Sequence, residues 1–368
     1  MLGLRSRPSG KHPIKQGHSF DRIFHDIEPF CREDPRGKPD YPDSGVSHST
    51  LTYARRTKLH LLNMPSAISE RIDRAIRKSP LGRHISLLRK LAPGFYTYLR
   101  SVYSSLFRLD SKHGLARYQA RALRRFLEIL PAEVGRARVL EIGSDLDAKV
   151  LRELQSIGCR NLTGINPAFS DTDLARINPG LPSGCSLRRA DIRDTGLTDA
   201  SQNALFCVSV FEHLQDFGRC LAEMHRILVP GGIVYAEFGP IWSSGLGHHV
   251  CASADGQQAR HWDPRLNPLA DFSHLLLSRE EMQTAIACRV PPRLGDGILG
   301  WVYDSDDINR LFFEDYVRLV EQSPFEMVEI STDREHIDAD ILAALRKRHP
   351  GYQVFDVRNI ELVLRKPR

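Results

Sequence analysis

Between residues 138 and 238, short apolar runs alternate with stretches whose apolar positions recur every three or four residues. The first run, Val139-Leu140-Glu141-Ile142, ends on Gly143-Ser144-Asp145-Leu146-Asp147, and a helix-length gap follows. A second run, Leu162-Thr163-Gly164-Ile165, then ends on Asn166-Pro167. Together they make a strand–loop–helix–strand unit of about thirty residues, the size of one βαβ crossover. The pattern predicts further strands at 185–189 (weak), 204–210 and 233–238, with a helix near 115–130 leading into the first. Two more candidates, 325–330 and 357–364, close the chain, and Pro230-Gly231-Gly232 reads as a turn ahead of a strand. Strands alternating with helices indicate an α/β sheet, and such sheets bind ligands at the carboxyl ends of their strands. Polar residues fall at those ends here.

The N-terminal third has a different pattern. Residues 1–60 are rich in Pro, Gly, Ser, His and charge, without apolar periodicity, and read as a disordered basic tail. From 61 to 112 two amphipathic helices are expected. Ile68, Ile72 and Ile76 mark one apolar face; Phe95, Tyr98, Val102 and Leu106 mark another. Basic amphipathic helices of this kind can lie on a membrane surface, pack on a neighbouring domain as a lid, or mediate dimerisation. Packing is the favoured reading.

Composition narrows the class. The chain has 368 residues, 41% hydrophobic and 26% charged, and carries no apolar run near the roughly 20 residues needed to cross a bilayer. That size predicts a core domain plus an extension. Seven cysteines form no Cys-x-x-Cys pair, so neither a disulfide framework nor a zinc site is expected, and a reducing, cytoplasmic setting fits. Residues 1–112 hold 21 Lys/Arg against 10 Asp/Glu, while the remainder holds 30 against 35. The net charge of +6 therefore sits in the extension, and basicity so placed does not indicate nucleic-acid recognition.

Beyond the first crossover the chain reads Ala190-Asp191-Ile192, then Ser209-Val210-Phe211-Glu212-His213-Leu214, then Leu228-Val229-Pro230-Gly231-Gly232. In this order and at these spacings, the chain resembles the class I S-adenosylmethionine-dependent methyltransferases of the type 11 kind, well over 115–240 and more loosely to 368. The resemblance implies a Rossmann-like, seven-stranded, doubly wound α/β sheet, here with a helical N-terminal extension. It also implies S-adenosylmethionine as cofactor and transfer of a methyl to an O or N atom of a small-molecule acceptor, such as a sugar or secondary metabolite. A nicotinamide site is disfavoured, because the first βα loop lacks Gly-x-Gly-x-x-Gly. The alternative is a weak or inactive scaffold whose basic extension binds a membrane or protein partner.

By the same resemblance Glu141, Gly143, Ser144 and Asp145 face the methionine part of the cofactor, Asn166 and Pro167 the ribose, and Asp191 and Ile192 the adenine. Ser209 stands near the transferred methyl. The family's usual ribose carboxylate is Asn166 here, and its usual glycine-rich loop is Ser144–Asp147. For the acceptor side, His213, His248 and His249 are candidate bases, with Glu212 next; His261 and His274 raise the local histidine density. No acidic residue near them has metal-ligand spacing, so no metal is expected. The segment 241–316 reads as an acceptor-side insertion within a domain spanning 113–368.

Overall fold

The computed structural model describes residues 112–368; the tail and helical extension expected before residue 112 lie outside the described residues. Helix α1, Arg117–Ile129, leads into strand β1, Arg138–Ile142, which is followed by α2, Lys149–Ser156, and β2, Asn161–Ile165. Then come α3, Asp171–Ile177, β3, Cys185–Arg188, β4, Gln202–Val208, α4, Phe217–Ile227, and β5, Leu228–Phe238. A hairpin of β6, Cys251–Ala254, and β7, Gln257–Arg260, precedes three short helices: α5, Ser273–Leu276, α6, Arg279–Ile286, and α7, Pro292–Leu299. The chain closes with α8, Phe313–Gln322, β8, Glu326–Arg334, α9, Ala339–Arg348, and β9, Val357–Arg365.

Seven strands form one sheet in the order β3-β2-β1-β4-β5-β9-β8. The first five run parallel, and β9 is antiparallel to both β5 and β8. Both faces of the central strands are covered, which explains why their sequences are continuous apolar runs. Alternate residues serve opposite layers. Leu205 and Cys207 of β4 join Val234 and Ala236 of β5 beneath α4 and α8. Ala204, Phe206, Ile233 and Tyr235 point the other way, under α1 and α2.

Strand order reverses between β1 and β4, the position where doubly wound sheets open a ligand crevice. The expected turn at Pro230-Gly231-Gly232 is instead part of β5. Gln202 pairs with Leu228 and Ala204 with Ile233, so four residues on β5 lie between the two pairs where β4 has one. This wide bulge lets Gly231 N–H reach the Lys366 carbonyl at 2.8 Å, which ties the start of β5 to the chain's end.

Beyond β5 the chain builds a third apolar cluster, separate from the two on the sheet. Val250 and Ala259 from the hairpin region, Leu294 and Ile298 of α7, and Leu345 of α9 are all buried in it. The cap therefore draws on α9, a helix far along the chain, as well as on 241–316. Five described cysteines are free, and Cys288 is disulfide-bonded.

Candidate active site

The site is built at the switch point. Gly143 leaves β1 with φ +81°, and a Cβ there would lie 2.3 Å from Val210 Cγ2 at the end of β4. Only glycine admits both the backbone turn and this close approach. Ser144 is fully buried and donates to Glu141 Oε2 at 2.7 Å. Gly164 makes room for that hydroxyl, since a Cβ there would meet Ser144 Oγ at 2.5 Å. Glu141 is 8% exposed, and burial, the dominant cause, pushes its carboxyl up to about 8, with the Ser144 hydrogen bond opposing.

The other strand-end residues are engaged by their own loops. Asp145 accepts from the Lys149 amide at 3.3 Å and sits 3.8 Å from Lys149 Nζ, so it caps the start of α2. Asn166 donates to the Ser144 carbonyl at 3.1 Å, and its side-chain oxygen accepts from Ala168 N–H at 2.9 Å. Its amide thus ties the ends of β1 and β2 together; Pro167 beside it is exposed. Asp191 forms a fork with Arg193, at 3.0 Å to Nε and 2.7 Å to a terminal nitrogen, and that hydrogen bond holds its carboxyl below the usual range. Ile192 is 2% exposed and belongs to the core. Ser209, exposed at the end of β4, has φ +56° and donates its amide to the Glu237 carbonyl.

The acceptor-side histidines separate into two environments. Residues 241–250, which carry His248 and His249, are buried without exception. A buried loop must find partners for its backbone, and the imidazoles provide them. His249 Nε2–H donates to the Pro240 carbonyl at 2.5 Å, His274 Nε2–H to the Trp242 carbonyl at 2.8 Å, and His248 Nδ1 accepts from Val250 N–H at 3.1 Å. Burial holds His249 well below the ordinary histidine range and brings His261 and His274 down to about 4. Among the described residues, no three His, Cys, Asp or Glu side chains are grouped to hold a metal ion.

His213 differs. It is exposed, on the short turn Phe211–His213 just after β4, and its Nδ1–H donates to the Asp307 carbonyl at 2.5 Å. That bond places the lone pair on Nε2. The ring packs edge-on against His249, with centroids 5.3 Å apart. Its neighbour Glu212 is 1% exposed and accepts from Gly239 N–H at 3.1 Å, with its carboxyl raised by burial.

Sequence reasoning missed the segment that braces this turn. Asn309 donates to the Phe211 and Leu214 carbonyls at 2.7 and 3.2 Å, and Gln215 donates to the Asp306 carbonyl at 2.6 Å. These partners lie some ninety residues on, in a polar stretch with no periodicity to mark it.

Residues 140–236, the segment that carries this crevice, match the family profile described as methyltransferase domain. Over these residues the chain carries a methyltransferase domain similar to that of the class I S-adenosylmethionine-dependent methyltransferases. The chain is similar to an S-adenosylmethionine-dependent methyltransferase from Mesorhizobium loti, at 18% identity over 68% of this chain and 98% of that one, with a TM-score of 0.41. It is also similar to geranyl diphosphate C-methyltransferase from Streptomyces coelicolor, at 11% identity over 68% and 79% of the two chains, with a TM-score of 0.40. A third similar structure, the [4+2]-cyclase SpnF, has 13% identity over 71% and 85%, with a TM-score of 0.41. At that distance none of the three bears on this enzyme's acceptor.

Proposed function

We propose that this enzyme transfers the methyl of S-adenosylmethionine to a hydroxyl or amino group of a small-molecule acceptor, with His213 as the base. One observation carries the reading. Of the three candidate histidines, only His213 is exposed at the end of β4 and has its lone pair fixed on a ring nitrogen that bonds no other group. His248 and His249 are buried, and each commits one ring nitrogen to the backbone of its loop.

The donor set fits the cofactor. The Glu141 carboxyl oxygen can accept a hydrogen bond from the amino group, the Asn166 amide suits a ribose hydroxyl, and the Asp191 carboxylate suits an adenine amino group. Gly143, Ser144 and Asp145 supply the loop between them, with Pro167, Ile192 and Ser209 at the rim. When bound, the cofactor supplies a methyl on a sulfonium that leaves by in-line displacement. This chain's part is to align the acceptor and accept its proton at His213 Nε2. His249 packs against the far side of that ring and stays neutral through burial, so it adds no competing charge.

Calorimetry with S-adenosylmethionine and its demethylated product, followed by an acceptor screen with labelled methyl, tests the reading. His213→Gln should lower turnover by about 10²- to 10⁴-fold with cofactor affinity unchanged. Normal turnover in that variant would remove His213 from the chemistry. Failure of both cofactor forms to bind would favour the inactive scaffold.

A further inference from the structure

Residues 305–310, just ahead of α8, bond the post-β4 turn through the Phe211, Glu212 and Leu214 carbonyls and the side chains of His213 and Gln215. Asn309 is the centre of the contact. Its side-chain N–H groups take the Phe211 and Leu214 carbonyls, and its own amide donates to the Glu212 carbonyl at 3.0 Å. Its side-chain oxygen is fixed in turn by Tyr316 O–H at 2.9 Å and Leu311 N–H at 3.1 Å. An asparagine whose donors and acceptor are all engaged cannot rotate without breaking several bonds at once. Two residues earlier, Asp307 presents the carbonyl that receives His213 Nδ1–H. A local turn holds Asp307 in place: Ser305 Oγ–H donates to its carboxylate at 3.0 Å, and its amide donates back to Ser305 Oγ at 3.1 Å. On the opposite side, Glu212 takes the Gly239 amide, so the turn is gripped between the exit of β5 and this strap.

We propose that Asn309 is a positioning residue which, through the 305–310 strap and the Asp307 carbonyl, sets the tautomer of His213 and so decides which ring nitrogen faces the acceptor. The inference deepens the base assignment given above and rests on it. A histidine with no such partner is free to carry its proton on either nitrogen, and the hydrogen bond made by one nitrogen selects the other for chemistry. Asn309 itself touches no reacting atom.

The test reads the tautomer directly, on the full chain without ligand. Histidine is labelled with ¹⁵N, and His213 is assigned among the 15 histidines as the signal missing from His213→Gln. Wild type should show the pattern of a protonated Nδ1 and a bare Nε2. Asn309→Ala should convert it to the averaged pattern of a mobile imidazole, and with any acceptor found by the screen should lower kcat about 10- to 100-fold while KM for S-adenosylmethionine holds. Because Asn309→Ala leaves backbone carbonyls unpartnered, Asp307→Gly provides a second arm. It keeps the Asp307 carbonyl, removes the exposed carboxylate that Ser305 holds, and should shift the pattern in the same direction. A wild-type signal showing the proton on Nε2 would overturn the proposal. So would a pattern unchanged in folded Asn309→Ala and Asp307→Gly. The base assignment fails separately, if His213→Gln retains turnover.

Discussion

The fork between Asp191 and Arg193 sets the terms on which the adenine pocket can work. The two residues are near neighbours on an exposed turn, and their pairing leaves the carboxylate ionised with both oxygens in use. An incoming amino group must therefore share an oxygen with the guanidinium rather than meet a bare acid. Asp191→Ala should still weaken S-adenosylmethionine binding by about 1–3 kcal/mol, the worth of a hydrogen bond to a charged acceptor. Arg193→Ala should leave binding intact or tighten it slightly, since an exposed ion pair is worth only about 0–1 kcal/mol. Calorimetry on both variants checks this, and equal losses would mean that the pair acts as one unit. Glu141 gives a second prediction. Its carboxyl moves from an ordinary 4.5 to about 8 on folding, so between those values the native state holds a proton that the unfolded chain does not. The contribution of Glu141 to stability should then fall as pH rises through that window, by on the order of a few kcal/mol. Glu141→Gln should remove that contribution, read as a pH-dependent difference from wild type in denaturant titrations from pH 5 to 9.

At the scale of elements, packing outweighs charge. Helix α1 is joined to the sheet by Arg121 with Glu237, and by Arg125 with Glu329 at 2.6 Å. It also buries Phe126 completely, edge-on to Phe206 at 5.2 Å and beside Tyr235. Phe126→Ala should cost about 3–5 kcal/mol through lost contacts and a cavity, whereas Arg125→Ala should cost under about 1 kcal/mol. Chemical unfolding of the two variants decides it; the reverse order would mean that the charged network anchors α1. The same contrast explains what the sequence showed. Strands β1 and β2 are legible to the residue because burial on both faces demands continuous apolar runs. Strand β9 is legible for the same reason, with Ile360, Leu362 and Leu364 buried in succession. The hairpin β6–β7 was invisible, since Cys251–Ala254 and Gln257–Arg260 contain no β-branched or aromatic residue. The β5 bulge was mistaken for a turn because Pro-Gly-Gly is a turn composition, and only pairing with β4 shows that the chain stays in the sheet. In the site, strand-end residues could be located, but not their partners. Arg193 beside Asp191 and Asp307 opposite His213 are relations of geometry that no periodicity records.

For the molecule as a whole, buried titratable groups of opposite kinds define a window of stability. His261 and His274 fall from an ordinary 6.5 to about 4 in the folded state, and His249 falls well below its ordinary value. Each is neutral when native, so its contribution is present above 6.5 and is lost as pH drops toward 4. Glu141 and Glu212 are raised, and their contribution is lost as pH climbs. With His225 lowered and Glu361 raised as well, four histidines oppose three carboxyls between about 4.5 and 6.5 and stability should rise with pH; above 6.5 the histidines are neutral in both states and the raised carboxyls turn it down. The thermal midpoint should therefore peak near pH 6.5. The acid side belongs to the cap, because His274 donates to Trp242 inside that separate apolar cluster while the raised carboxyls belong to the sheet. His261→Gln combined with His274→Gln keeps a side-chain donor at each position but removes the titration. It should flatten the acid limb, by on the order of 2–3 kcal/mol for the fully buried His274 and less for His261. Hydrogen exchange at pH 7 and pH 4.5 locates the effect: wild-type peptides from 241–316 should lose protection at the lower pH before those of β1 and β4. Uniform loss across cap and sheet would show instead that the two unfold as one cooperative unit.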